Sequence, residues 1–125
     1  MQIQIKRVYD APAATDGLRI LVDRLWPRGL TKKQAAIDVW AKELAPSAEL
    51  RKWFGHDDER FDEFTQRYGL ELDRVTTEVT RLLATIGDGP ATLLYSARND
   101  DCNNAIVLMA RIQRDQKRAR ENSRR

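Results

Sequence analysis

The sequence predicts an α/β fold, a single compact domain in which a small, mainly parallel sheet is flanked by helices. Three observations predict it. Residues 18–25 and 91–97 are each apolar on both parities over most of their length, as strands buried on two faces must be. The chain between them carries apolar residues at spacings of three and four, the helical signature, and strands separated by helices are most economically laid side by side in parallel. Finally, 125 residues give room for one hydrophobic core and not two.

Taken in order, Ile3, Ile5 and Tyr9 alternate with Gln2, Gln4 and Lys6, so the chain opens with a strand that keeps one wet face. Residues 11–17 form a loop ending on the turn signal Asp16-Gly17. The first buried strand follows over 18–25. Trp26 precedes Pro27, which favours extended backbone, and Gly29 loosens the chain again. Thr31 caps a short helix through Ala36, and residues 37–40 form a brief extended piece. Pro46-Ser47-Ala48-Glu49 starts a helix, with Ser47 accepting from exposed amides and Glu49 near the positive helix end. That helix stops about Gly55. Asp57 or Asp58 opens the next, in which Phe61, Phe64 and Tyr68 share a face. Leu72, Val75, Val79, Leu82 and Ile86 continue the stripe, with a kink or break expected at Gly69. Gly87-Asp88-Gly89-Pro90 is a turn, and residues 91–97 are the second buried strand. Asp100 or Asp101 caps a final helix whose inner face uses Ile106, Met109 and Ala110. The chain thus divides into a domain over 1–110 and a basic helix end or tail over 111–125.

Composition excludes several classes. Hydrophobic residues make up 42% and charged residues 33%, the balance of a soluble globular chain. The longest apolar runs fall far short of the ~20 residues a membrane span needs, so no membrane partner is expected. Met1-Gln2-Ile3-Gln4-Ile5-Lys6 lacks the apolar stretch and cleavage site of a secretion signal. A single cysteine, Cys102, cannot form an intramolecular disulfide or a multi-cysteine zinc site, which points to a reducing cytoplasm. The lone histidine, His56, stands beside Asp57 and Asp58 without metal-ligand spacing and reads as a charged helix cap. Neither a Walker A motif nor Gly-x-Gly-x-x-Gly occurs, so no cofactor and no metal are expected.

The basic character, with a pI near 9.2, is a property of the tail. Seven basic residues (Arg111, Arg114, Lys117, Arg118, Arg120, Arg124 and Arg125) follow Ala110 against two acids, while the first 110 residues carry 15 basic and 17 acidic side chains. Such an end reads as a solvated helix terminus before it reads as a binding arm.

Several segments together resemble a known bacterial family. Arg7-Val8-Tyr9-Asp10, Asp16-Gly17-Leu18-Arg19, the run Leu21-Val22-Asp23-Arg24-Leu25-Trp26-Pro27-Arg28-Gly29, Ala45-Pro46-Ser47 with Leu50-Arg51-Lys52-Trp53-Phe54, and Leu93-Leu94-Tyr95 with Asn103 and Ala105 are similar to the YeaO-like family, a domain-of-unknown-function group. The resemblance extends to about Met109 and leaves the basic tail outside. It implies a compact α/β fold and a bacterial cytoplasmic protein, and it supplies no established catalytic residues. It associates position 104 with His or Asn, and here the residue is Asn104.

Ligands of open α/β sheets collect beyond the carboxyl ends of the strands. That rule singles out Asp23-Arg24-Leu25-Trp26-Pro27-Arg28-Gly29 and Tyr95-Ser96-Ala97-Arg98-Asn99-Asp100. Arg24, Arg28 and Arg98, with Arg7 and Arg19 as further members, are the main constellation, because guanidinium is a permanently charged, multi-donor fork suited to phosphate or carboxylate. Trp26 supplies a flat apolar wall for a base, sugar or other ring, and Asn103 joins the ligand-binding set. The competing structural reading pairs the arginines with Asp23, Asp10 and Asp16 and packs Trp26 in the core. If the protein is an enzyme, Asp23 is the acid or base and Tyr95 a second candidate, with proton transfer or hydrolysis as the chemistry. Ser96 has neither a partnered histidine nor nucleophile-elbow glycines and is not a hydrolase serine. Cys102 sits where a helix start can lower a thiol's pKa, yet no nearby histidine activates it.

The expected function is binding, with processing left open, of an anionic small molecule such as a nucleotide or phosphorylated metabolite in a pocket lined by arginine and tryptophan. Two alternatives stand beside it: a nucleic-acid-binding accessory protein using the basic tail, and a protein-interaction module anchored by Trp26 and Trp53.

Overall fold

The computed structural model describes residues 2–123. Its strands are β1 (Ile3–Arg7), β2 (Leu18–Leu21), β3 (Val39–Trp40) and β4 (Ala91–Tyr95), and its α-helices are α1 (Lys32–Ala35), α2 (Ala48–Phe54), α3 (Phe61–Asp73), α4 (Thr76–Ile86) and α5 (Asn104–Ser123). The four strands form one sheet in the order β1-β4-β2-β3, and every neighbouring pair is parallel. The α/β class and the pairing of the two buried strands are therefore as the sequence predicts.

Strand alternation sorts the core into two unequal layers. Ile20, Val22, Leu93 and Tyr95 point to the larger one, which is filled from α2, α3, α4 and α5 by residues such as Phe54, Phe64, Tyr68, Leu82 and Leu108. Leu21, Leu94 and Val8 point the other way, against Ala35 of α1 and the partly buried Trp26, Leu30 and Ile37. Two covered faces explain why β2 and β4 show no polar/apolar alternation.

The second face is apolar only toward the carboxyl ends of its strands. At the amino ends it holds an ionic cluster. Asp16 is 2% exposed and pairs with both Lys6 and Arg19. It also accepts from the Ala13 amide at 3.0 Å. Arg19 donates onward to the Ala35 and Ala36 carbonyl oxygens, which fixes the end of α1 against the sheet. Gln4 and Thr92 complete the cluster, with Gln4 Nε2 donating to Thr92 Oγ1 and Thr92 Oγ1 to the Asp16 carbonyl. Burial would push the Asp16 carboxyl up, but the Ala13 amide and the Lys6 and Arg19 cations outweigh it and hold the group below its ordinary 3.8.

Several boundaries differ from expectation. The first buried strand ends at Leu21 rather than residue 25, since its ladder stops where β3 and β4 stop and the chain turns into the loop that carries Asp23 and Arg24. The second ends at Tyr95 rather than residue 97. Gly69 does not interrupt its helix. The break falls at Arg74–Val75, where i→i+3 bonds tighten the turn and the β-branched run Val75-Thr76-Thr77 restarts the helix as α4. Neither Asp100 nor Asp101 caps α5. Asn103 Oδ1 accepts from the Ile106 amide at 3.1 Å, and Asp100 is engaged by Tyr95 instead. Thr31 and Ser47 cap α1 and α2 as expected. The basic segment continues α5 as helix to Ser123, while Arg124 and Arg125 lie outside the described residues.

Two stability predictions follow from the ionic face and the turn beside it. Gly17 has φ +64°, and a Cβ there would lie 2.1 Å from the Pro90 carbonyl oxygen. Gly17→Ala is expected to lower unfolding free energy by about 3 kcal/mol or more, through overpacking plus backbone strain, as read by chemical denaturation. Because the folded-state Asp16 value is the lowered one, its contribution is complete above 3.8 and disappears as pH falls through the folded value. The stability gap between the wild type and Asp16→Asn should thus be on the order of 3 kcal/mol at neutral pH and close progressively in acid.

Candidate functional site

Parallel strands deliver all their carboxyl ends to one edge of the sheet, and there the loops after β2 and β4 meet. Asp23 joins them. Its Oδ2 accepts from the Ser96 amide at 2.9 Å and the Ser96 hydroxyl at 2.6 Å, and its Oδ1 accepts from Asn104 Nδ2 at 3.1 Å. Asn104 Nδ2 also donates to the Val22 carbonyl at 3.0 Å, and Trp40 Nε1 to the Asp23 carbonyl at 2.7 Å. One residue thus ties β2, the start of α5, the loop after β4 and the short edge strand β3.

Beside this knot lies a cavity of about 930 Å³, within the range of small-molecule sites. From the loop after β2 it is lined by Asp23, Arg24, Leu25, Trp26, Pro27 and Arg28. From the loop after β4 it receives Ser96, Ala97, Arg98 and Asn99, with Cys102, Asn103 and Asn104 at the start of α5. The far wall comes from Pro46, Arg51, Phe54 and His56 in and around α2, and from Phe64 of α3. Tyr9, just past β1, completes it.

The walls are fixed from behind. Ser47 caps α2 by accepting from the Leu50 amide, and Glu71 of α3 takes both the Ser47 amide and hydroxyl, at 2.8 and 2.6 Å. Tyr68 donates to the Leu44 carbonyl, which pins the same segment. Gly55 ends α2 in the left-handed conformation and His56 repeats it at φ 58°, which turns the chain beside the cavity.

Sequence reasoning placed Asp23, Arg24, Trp26, Arg28, Arg98 and Asn103 together, and all six line this one cavity. Arg7 and Tyr95 do not. The Arg7 guanidinium donates to the carbonyl oxygens of Ala97 and Ser96, at 3.1 and 3.4 Å, and lies 5.2 Å over the Tyr9 ring. Tyr95 points into the larger core layer and donates its hydroxyl to Asp100 Oδ1 at 2.8 Å. Burial, then the Asp100 hydrogen bond and charge, push that phenol up to about 12, so it stays protonated at neutral pH. Arg19 belongs to the ionic face described above.

The arginines of the cavity are not neutralised. Among the described residues no carboxylate pairs with Arg24, Arg28, Arg51 or Arg98. Arg24 makes two long contacts to the Pro46 and Ala45 carbonyl oxygens, at 3.4 and 3.5 Å. Asp23 is the one acid on the wall, and its oxygens already accept three hydrogen bonds. Trp26 is neither loose nor fully buried. Its Nε1 donates to the Leu30 carbonyl at 2.7 Å, and its ring meets Trp40 edge to face at 5.6 Å.

Sequence reasoning missed Arg51 as part of the site and read His56 as a cap; both arrive on the wall that α2 supplies, and no strand-end rule points to them. Burial first, then the charges of Asp58, Asp101 and Asp62, push the Cys102 thiol up, which reverses the lowering a helix start would give. Among the described residues no group of three or more His, Cys, Asp or Glu side chains could hold a metal ion, and no helix is long and apolar enough to cross a membrane.

Comparison with known proteins assigns the chain a family. A family model described as "Inactive DUF488-N3 subclade" matches residues 2–125. The uncharacterized protein YeaO of Escherichia coli is 49% identical over 108 residues, covering 86% of this chain and 94% of its own. The uncharacterized protein Rv3073c of Mycobacterium tuberculosis is 48% identical over 107 residues, covering 86% of this chain and 90% of its own. No solved structure gives a significant match. The identity to YeaO and a family match that spans the whole described fold make this chain a member of the YeaO-like family, within the group described as the inactive DUF488-N3 subclade.

Proposed function

We propose that the protein binds an anionic small molecule, of the nucleotide or phosphorylated-metabolite class, in the cavity at the carboxyl edge of its sheet, and that it binds without turnover. The observation that carries this reading is that Arg24, Arg28, Arg51 and Arg98 all line one cavity and, among the described residues, none has a carboxylate partner. A low-dielectric cleft lined by one sign of charge concentrates the opposite sign, and the planar donor fork of arginine suits phosphate and carboxylate oxygens.

The absence of turnover rests on the groups that would have to move protons. Asp23 is held by Ser96 and Asn104, the Ser96 hydroxyl donates to Asp23, and the Tyr95 phenol is committed to Asp100 away from the cavity. The family's description as inactive agrees with that reading. A single thiol, Cys102, supports a cytoplasmic location. Nucleic-acid binding through α5 is the lesser reading. Arg111 is engaged by Asp73 and Asp115, and Arg114 by Asp115, which leaves Lys117, Arg118 and Arg120 as an exposed cluster on a solvated helix end.

Arg28 and Arg98 are exposed, so their removal should leave the fold intact. Arg28→Ala and Arg98→Ala are each expected to weaken inorganic phosphate or sulfate binding about tenfold, the usual loss for a charge-assisted contact, with circular dichroism unchanged; undiminished affinity in both variants speaks against the site. Asp23→Ala is expected to cost about 2–4 kcal/mol of stability, because it strands the donors of Ser96 and Asn104. A variant that melts like the wild type would return Asp23 to the list of catalytic candidates.

A further inference from the structure

The cavity offers aromatic surface beside its charge, and the way that surface is held narrows the ligand. Tyr9 and Trp26 both lie on the wall. The Tyr9 hydroxyl donates to the Arg28 carbonyl at 2.9 Å and the Trp26 indole N–H to the Leu30 carbonyl at 2.7 Å. Each ring is thereby fixed, with carbon surface left to offer and no polar handle. Trp26 is steadied further by Trp40, and Tyr9 by the Arg7 guanidinium over one face. Tyr9 is nevertheless 41% exposed and Leu25 60%, so apolar surface faces solvent directly beside the arginines.

Two of the three side-chain amides on the wall are engaged at both ends. Asn99 donates to Asp58 and accepts from the Asp101 and Cys102 amides, and Asn103 donates to the Asn99 carbonyl and accepts from Ile106. Asn104 engages its Nδ2 with Val22 and Asp23, so among the wall amides its oxygen is what remains to read the hydrogen-bonding edge of a ring. The rim near Cys102 is acidic as well. Asp58 Oδ1 accepts from Asn99 Nδ2 at 2.7 Å, and the Asp101 amide donates to Asn99 Oδ1 at 2.8 Å, so both acids stand beside this wall residue. A long polyanion laid across the mouth meets those carboxylates, whereas a compact one held among the arginines does not.

From the juxtaposition of a fixed aromatic wall, unpaired guanidinium groups and an acidic rim, we infer that the ligand is a phosphate monoester that also bears a flat ring, a nucleoside monophosphate or an aryl phosphate. The inference rests on the anion-binding reading and adds that the ring is held by stacking, with weak discrimination of its identity.

Isothermal titration of the full chain with inorganic phosphate, ribose 5-phosphate, adenosine and uridine 5′-monophosphates, adenosine and a twelve-residue oligothymidylate tests it. Adenosine monophosphate should bind at least about tenfold tighter than ribose 5-phosphate, as a stacked ring adds, with uridine monophosphate within about tenfold of it and adenosine undetected. Trp26→Leu and Tyr9→Leu should each cut the ratio of adenosine monophosphate to ribose 5-phosphate affinity by about tenfold, and Tyr9→Phe, which keeps the ring, should preserve that ratio. Should Trp26→Leu fail to fold, the exposed Tyr9 pair decides. Equal affinity for adenosine monophosphate and ribose 5-phosphate, both weakened by Arg28→Ala, overturns the ring and leaves the anion site standing. Tighter, steeply salt-dependent binding of the oligonucleotide overturns the monoester in favour of a polymer. No binding of any anion overturns the anion-binding reading together with this one.

Discussion

The carboxylate of Asp23 is the constraint on which the functional edge of this fold depends. It stands just past the end of β2 and satisfies, with two oxygens, donors from the end of β4 and the beginning of α5. Chain ends at a parallel sheet otherwise leave amides and carbonyls to water or to a ligand. Here one side chain gathers them and holds two loops in register. The residue that looks most catalytic in the sequence thus also carries a structural task.

Around that knot the protein separates its charges. Asp16 and Arg19 neutralise each other, with Lys6, on the buried second face at the amino ends of the strands. Arg7 is absorbed by carbonyl oxygens at the far edge. Among the described residues Arg24, Arg28, Arg51 and Arg98 on the cavity walls have no carboxylate partner, and neither do Lys117, Arg118 and Arg120 at the end of α5. Buried cations without counterions are costly, and partly exposed ones at a concave surface are where an anion gains most.

Much of this was legible in the sequence. Apolar runs on both parities marked β2 and β4, and the strand-end rule then pointed to Asp23, Arg24, Trp26, Arg28 and Arg98 without any coordinate. The failures have separate physical causes. Arg51 and His56 reach the cavity because α2 packs across the carboxyl edge, and helix docking leaves no local mark on the helix that docks. Tyr95 faces the core because strand parity sets it with Leu93. Arg7 has the right chemistry and the right strand end, but the carbonyls of Ser96 and Ala97 capture it first. Asn103 lines the cavity, and its structural work, capping α5, is what Asp100 or Asp101 was expected to do.

The strand order carries a consequence for how this protein is born. β4 lies between β1 and β2, with Ala91 opposite both Ile3 and Leu18, so the middle of the sheet is the last strand to be synthesised. Until it emerges, β1 and β2 have no partner between them, and their unpaired edges stay open through most of translation. Closing loops of that span is slow. The sheet therefore cannot close, and its carboxyl edge cannot be lined, until the last third of the chain has been made.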